Sequence, residues 1–261
     1  MKKVILYLLL VILFSCTSKK NDGTAPIPNL GWTNVVYQPE YTRLVAVQGN
    51  NVLIRGSLPI GSDSNFVYDQ ILAFVTTKLP SINFTNSTLI DVSVIGNMKT
   101  GEWKQLKQEL TAFNLANTAI PYDSWPPYTV GYKATLLGSQ VSGHASRFCW
   151  WPFQGFKSWW SQDQKIKQYF TNEGYNGEKG GYNFDGLVDQ LDFLLKDESY
   201  PKIIYYHCTF GKDRTGALTF GWLVKHGGYS KTDALAKVDS VSIPNDDYSG
   251  MINDYFTWLF P

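Results

Sequence analysis

The 261 residues are 44% apolar and 17% charged, which suits one sizeable hydrophobic core and excludes a disordered chain. A formal charge of +1 gives no electrostatic reason to expect a nucleic-acid partner. Three cysteines are too few for a disulfide scaffold, whereas aromatic residues are dense at 15% and include nine Trp.

Lys2 and Lys3 precede an apolar run from Val4 to Phe14, too short to cross a bilayer comfortably and patterned like an export signal. The run ends in Leu13-Phe14-Ser15-Cys16, which resembles the lipobox of bacterial lipoproteins. The resemblance implies cleavage before Cys16, lipid on its thiol and membrane attachment, facing the periplasm or on the cell surface. An ordinary signal peptide or an anchor helix is the alternative. Residues 17–29 have no periodicity and read as a tether. The expected organisation is therefore a signal at 1–15, a lipidated Cys and tether at 16–29, and a single domain at 30–261. Loss of Lys2 and Lys3 would turn the charge from +1 to −1 and leave Cys149 and Cys208 as the remaining sulfurs.

Residues 43–59 predict two short strands around the turn Gly49-Asn50-Asn51. Apolar residues at 67, 71, 72, 74, 75 and 79 predict a helix over 65–79. Residues 87–95 are a β-branched strand, 101–114 an amphipathic helix, and 115–121 a weaker strand. From 122 to 182 the period fails amid Gly, Trp-Pro pairs and aromatic residues, apart from a short helix at 161–171. This stretch is expected to be an insertion folded over something, because long structureless segments in a compact domain are functional or disordered and so many aromatics argue against disorder. Order returns with a helix patterned at 187/188/191/194/195 and ending near Lys196. A buried strand at 202–206 follows, then a helix at 214–228 closed by Gly227-Gly228. Ser230 and Asp233 have capping-box spacing, and 246–260 predicts a final helix. Strands alternating with helices indicate an α/β fold with a largely parallel sheet.

The densest chemistry lies between the strand at 202–206 and the next helix, in His207-Cys208-Thr209-Phe210-Gly211-Lys212-Asp213-Arg214-Thr215-Gly216. Loop amides and a helix N-terminus there form an anion site without any side chain. Gly211 permits the curl, and Arg214 offers a planar fork to two phosphate oxygens. Helix N-termini and cations favour the thiolate of a cysteine so placed. The hydroxyl of Thr215 is placed to donate to the sulfur, and the imidazole of His207 to hold the backbone.

Cys208-x5-Arg214, in this His-Cys and Arg-Thr-Gly context, resembles the signature loop of the cysteine-based protein tyrosine phosphatase superfamily. The likeness covers 207–216 closely, with the strand before and the helix after. It implies a protein tyrosine phosphatase-like fold and a phosphomonoester hydrolase. Cys208 would take the phosphoryl group, Arg214 and the amides of Thr209, Phe210, Gly211, Lys212 and Asp213 would hold its oxygens, and water would release it. No metal or other cofactor is called for. Implied partners are phosphorylated substrates, as phosphoprotein, phosphoinositide or inositol phosphate, with the membrane reached through the N-terminal lipid and no nucleic acid.

The leaving oxygen needs an acid. In the superfamily an Asp on a Trp-Pro-Asp loop supplies it, and that tripeptide is absent here. Asp123 is the first candidate, because Tyr122-Asp123-Ser124-Trp125-Pro126 is similar to the acid loop of bacterial tyrosine-phosphatase-like phytases. Asp213 and Asp185 follow. Residues 52–59 look like the first strand and small-residue turn of these enzymes. Relatives often carry Asp-Leu-Arg where this chain has Asp91-Val92-Ser93, and loss of that Arg weakens an inositol polyphosphate reading. Lys212 points the other way, as a cation for a second phosphate. The aromatic stretch 147–160, with Arg147 and Lys157, either walls the pocket or packs against the sheet. Cys149 is a candidate partner for oxidised Cys208. The tyrosine- or dual-specificity type comes first, the phytase-like or phosphoinositide type second. A surface binding lipoprotein with a relict loop is the reading from another class.

Overall fold

The computed structural model describes residues 35–96, 100–116, 137–153, 160–171, 173, 182–241 and 246–261. Gly31–Pro261 forms one compact unit. The expected signal, the tether and Cys16 lie outside the described residues.

β1 (Arg43–Gln48) and β2 (Asn51–Gly56) form a hairpin across Gly49, which takes φ +54°. α1 (Tyr68–Lys78) and β3 (Thr88–Ser93) follow within the stretches predicted for them, and α2 (Thr100–Ala112) starts one residue before its predicted 101–114. Next come β4 (Leu137–Val141), β5 (His144–Trp150) and a helical turn α3 (Gln162–Gln164), which continues as a π-helical stretch over Lys165–Phe170. The chain closes with α4 (Phe184–Lys196), β6 (Lys202–His207), α5 (Asp213–Lys225), α6 (Lys231–Asp239) and α7 (Asp246–Leu259). Ser230 caps α6 as its spacing predicts, its Oγ accepting from the Asp233 N–H at 3.2 Å.

The six strands lie in the order β1-β2-β6-β3-β5-β4, giving a mixed α/β fold. The inner four are parallel, and both edges are antiparallel hairpin strands. Every residue of β2 and β6 is buried, as expected of strands covered on both faces. One face packs α1 and α2 through Ile71, Val75, Leu106 and Leu110. The other packs α4, α5 and α7 through Leu187, Leu191, Leu218 and Met251.

The 122–182 stretch departs from expectation. Residues 137–150 are no insertion over the site but two strands of the central sheet. β5 lies parallel to β3 and turns back to β4 across Ser142 and Gly143, at φ 51° and 78°. Two successive positive φ values are what a tight hairpin demands, and a Ser-Gly pair is a turn signal. The strand signal is weak because Ala145 and Arg147 face solvent and β4 is a short edge strand. The weak strand expected at 115–121 is not seen at Leu115 and Ala116, and the remainder lies outside the described residues. The aromatic residues described here pack inward. Phe184 meets Tyr255 at 4.9 Å and Phe153 at 5.3 Å between ring centres, and Phe170 meets Trp258 at 5.4 Å. Trp150 and Trp151 donate their indole N–H groups to the carbonyls of Ile95 and Tyr182, at 2.8 and 3.1 Å. These side chains build core instead of a pocket wall. Arg147 is exposed on β5, and Lys157 lies outside the described residues.

Candidate active site

β6 runs up the middle of the sheet, and its last residue, His207, is level with Gly56 at the end of β2 and Ser93 at the end of β3. Three strands thus end together, and the 208–212 loop sits on the carboxyl edge of the sheet, where open α/β sheets place ligands. The loop packs backbone to backbone on the turn after β2. Gly211 takes φ +70°, and a Cβ there would lie 2.7 Å from the carbonyl of Gly56. A Cβ on Gly56 would in turn lie 1.9 Å from the hydroxyl of Tyr205, which passes beneath to donate to the Ser57 carbonyl at 2.6 Å. Both positions admit only glycine.

The carbonyls of this loop are tied to the frame. Thr209 O accepts from the Leu58 N–H at 3.1 Å, Gly211 O from Arg55 Nη2 at 2.6 Å, and Lys212 O from the Gly216 N–H at 2.6 Å. Cys208 O lies 3.3 Å from His207 Nδ1. The N–H groups of Thr209, Gly211 and Lys212 have no partner among the described residues. A loop with four carbonyls committed and three N–H donors open, at the start of a thirteen-residue helix, is an anion cradle.

Cys208 is buried at the base of this loop. The hydroxyl of Thr215 accepts from the Cys208 backbone N–H at 2.8 Å, which fixes the backbone at the nucleophile and leaves its own O–H as a donor. Arg214 is clamped from two elements: Nη2 pairs with Glu102 of α2, and Nε donates to the Tyr248 hydroxyl of α7 at 3.1 Å. Burial opposes its charge, but Tyr248, Glu102 and Cys208 around it raise its pKa further, so it stays a cation.

α2 supplies more than Glu102. Gln105 Oε1 accepts from the Thr209 hydroxyl at 2.7 Å, and Glu109 Oε1 lies 2.7 Å from His207 Nε2. Residues 102, 105 and 109 share one helical face, all three are buried, and each meets a different residue of the 207–214 segment. Sequence reading did not single them out. The available signal was polar residues lying beside the apolar stripe of Leu106 and Leu110.

Beneath the loop, His207 Nε2 also lies 3.2 Å from Asp91 Oδ1, and His207, Asp91 and Glu109 are all fully buried. Burial disfavours the imidazolium, yet Glu109 and Asp91 outweigh it and hold His207 well above the usual histidine range. Burial raises both carboxyl pKa values, with His207 pulling against it. Ser93 Oγ donates to Glu109 Oε2 at 2.9 Å. The three side chains bring one ligand atom each within 4.8 Å of the others. Ligands about 2.1 Å from a tetrahedral zinc would stand roughly 3.4 Å apart. The 2.7 Å between His207 and Glu109 is instead the distance of a direct ion pair, one in which neither Nε2 nor Oε1 makes an aligned hydrogen bond.

Other expected residues fall elsewhere. Asp123 lies outside the described residues. Asp213 opens α5 and is half-buried. Asp185 is no candidate acid: it accepts from Lys225 Nζ and the Tyr255 hydroxyl, both at 2.6 Å. Lys225 stands eleven residues along α5 from Arg214, about 16 Å at 1.5 Å per residue. Lys212 lays its ammonium 4.8 Å from the centre of the Tyr41 ring. Phe210 is half-buried against the core. Cys149 is level with Val92, and Val92 with Tyr206, so β3 separates it from β6. Two strand spacings are roughly 10 Å, beyond the ~7 Å between Cα atoms that a disulfide spans. Burial pushes the Cys149 thiol up to about 12, which makes it inert.

No protein-family model matches the chain, and no curated protein does. Among solved structures it is similar to human DUSP28 at 15% identity and TM-score 0.36, over 84% of this chain and 95% of that one. It is also similar to the Trypanosoma brucei protein tyrosine phosphatase TbPTP1, at 13% identity and TM-score 0.36, over 87% of this chain and 77% of that one. The Trypanosoma cruzi protein tyrosine phosphatase TcPTP1 gives 12% identity and TM-score 0.33, over 84% and 72%. These are loose likenesses.

Proposed function

We propose that this chain is a cysteine-dependent phosphomonoester hydrolase working through a phosphocysteine. The carrying observation is the 208–212 loop, whose carbonyls are bound to the frame while N–H groups stay open beside Cys208 and a clamped Arg214. In the first step the Cys208 sulfur attacks phosphorus, an S–P bond forms, and the P–O bond to the alcohol breaks. The alcohol leaves with a proton from an acid, for which Asp123 is the first candidate. In the second step water attacks phosphorus, the S–P bond breaks, and phosphate leaves with Cys208 restored. The open amides and the Arg214 fork bear the oxygen charge in both transition states, the usual source of the largest rate gain.

A substrate with one phosphate on an aromatic ring suits this site best. Ser93, where relatives carry Arg, is fully buried and bound to Glu109, so it adds no cation at the mouth. The Lys212 charge lies against Tyr41. A tyrosine- or dual-specificity phosphatase held at a membrane by lipid on Cys16 follows from these features and the N-terminal pattern. The full chain should release phosphate from an aryl phosphate and a phosphotyrosyl peptide faster than from a phosphoinositide or phytate, with chelator and reductant present. Turnover that survives Cys208→Ser overturns the mechanism, and phytate as the best substrate overturns the substrate class.

A further inference from the structure

We propose that Arg55, at the end of β2, is a positioning residue for this chemistry: a second guanidinium seated under the loop as the counter-charge of ionised Cys208. The inference rests on the thiolate mechanism above and adds a residue to it. Arg55 is among the most buried side chains of the protein, at 1% exposure. It is level with Tyr206 in the strand register and shares the sheet face of Leu53, Tyr206 and Cys208. One arm, Nη2, donates to the Gly211 carbonyl at 2.6 Å, which turns that acceptor away from a bound phosphate. Nε and Nη1 are buried and have no hydrogen-bond partner.

A buried guanidinium with two open donors is costly unless an anion meets it. The described residues offer Arg55 no carboxylate within ion-pair reach. The groups acting on it electrostatically are Tyr206 and Tyr205 of β6, Arg43 of β1, and Cys208. Burial lifts both tyrosines, Tyr206 to about 12 and Tyr205 well above its ordinary value, so neither is an anion near neutrality. Arg43 is itself a cation. Cys208 is the one group of the four able to supply a negative charge. Burial draws the Arg55 pKa down, with Tyr206 and Cys208 opposing, which is the behaviour of a cation short of partners. Arg214 faces Cys208 from α5 and is already neutralised by Glu102, and His207 by Glu109 and Asp91. Arg55 alone lacks such an acid.

Alkylation of Cys208 by iodoacetamide against pH in the full chain, read on the Cys208 peptide by mass spectrometry, tests this. At pH 6 the native Cys208 should be alkylated about tenfold or more faster than free cysteine. A Cys208 no faster than free cysteine would sink the thiolate mechanism itself, and the Arg55 role with it. Given that excess, Arg55→Gln should lose about tenfold in alkylation rate at acid pH, while Arg55→Lys stays close to native. A folded Arg55→Gln chain with an undiminished rate overturns the Arg55 role and leaves the mechanism standing. Should Arg55→Gln not fold, the native Arg55 Nε–H resonance, assigned by its loss in Arg55→Lys, decides. It should titrate with the alkylation rate and lose that step in Cys208→Ser, and a resonance indifferent to Cys208 refutes the proposal.

Discussion

α2 and α4 are both thirteen residues long and cover the sheet from opposite faces, yet they are buried in opposite ways. α4 seats Leu187, Val188, Leu191, Leu194 and Leu195 against the core and pairs Asp185 and Asp189 with Lys225 and His226 near the surface, while its buried acid, Asp192 at 8% exposure, meets the exposed Lys196 and His226. α2 also buries Leu106 and Leu110, but beside them it hides Glu102, Gln105 and Glu109 at 1%, 1% and 0% exposure. Buried carboxylates cost free energy unless paired, and α4 carries one of them, Asp192, against the pair on α2. The difference assigns α4 to holding the fold and α2 to holding the loop.

Two substitutions should separate these roles, and they carry the largest effects. Glu109→Ala strips His207 of its nearest acid, which at about 3–5 kcal/mol is the cost of breaking a buried ion cluster. Turnover should fall with it, because His207 Nδ1 then no longer holds the Cys208 carbonyl at its set angle. Leu191→Ala should cost a similar ~2–5 kcal/mol through a cavity, with turnover per folded molecule unchanged. Denaturant melts beside kinetics on an aryl phosphate check both. Equal loss of turnover in the two would erase the distinction.

The same cluster dictates a pH dependence. His207 has a folded pKa raised well above 6.5, so its contribution is complete below 6.5 and is lost as pH rises through the folded value. Burial raises Asp91 and Glu109 as well, an effect of the same sign that opens lower, just above the ordinary carboxylate range, so the neutral-to-alkaline part belongs to His207. Stability should therefore decline from neutral toward alkaline pH. Asp91→Asn should flatten that decline by removing one of the charges that keep His207 protonated. A native melting temperature that climbs between pH 7 and 9 would contradict the protonated cluster.

Legibility in the sequence follows the same division. α4 could be read from its 187/188/191/194/195 spacing because burial there depends on apolarity alone, and all five residues are buried. The 207–216 loop could be read because its chemistry is continuous along the chain. The residues that organise it could not, since Glu102, Gln105, Glu109, Arg55 and Tyr248 arrive from three other elements and each is an ordinary polar residue in its own segment. Asp91 was the most accessible of the missed signals, an acid in the middle of a β-branched strand that is buried on both faces. β4 and β5 were missed for a different reason: edge pairing is satisfied by backbone, and five to seven residues of mixed polarity carry little period.

The finest test of the comparison uses one polar contact from each helix. Gln105→Ala leaves the Thr209 hydroxyl without its acceptor inside the fold, which costs about 1–3 kcal/mol for a buried group. Thr209 belongs to the cradle, so the loss should appear as weaker binding of phosphate or tungstate as well as in melting. Lys196→Ala removes an i,i+4 pair on α4 between an exposed Lys196 and a buried Asp192, which keeps His226 beside it, about 1 kcal/mol, and should leave anion affinity untouched. The coupling between the two readouts decides. If α2 positions the loop, stability and anion affinity fall together for its polar face and stay independent on α4. A Gln105→Ala chain that melts early yet binds tungstate as tightly as the native protein would make the α2 face a buried polar network of the core, with no hold on the cradle.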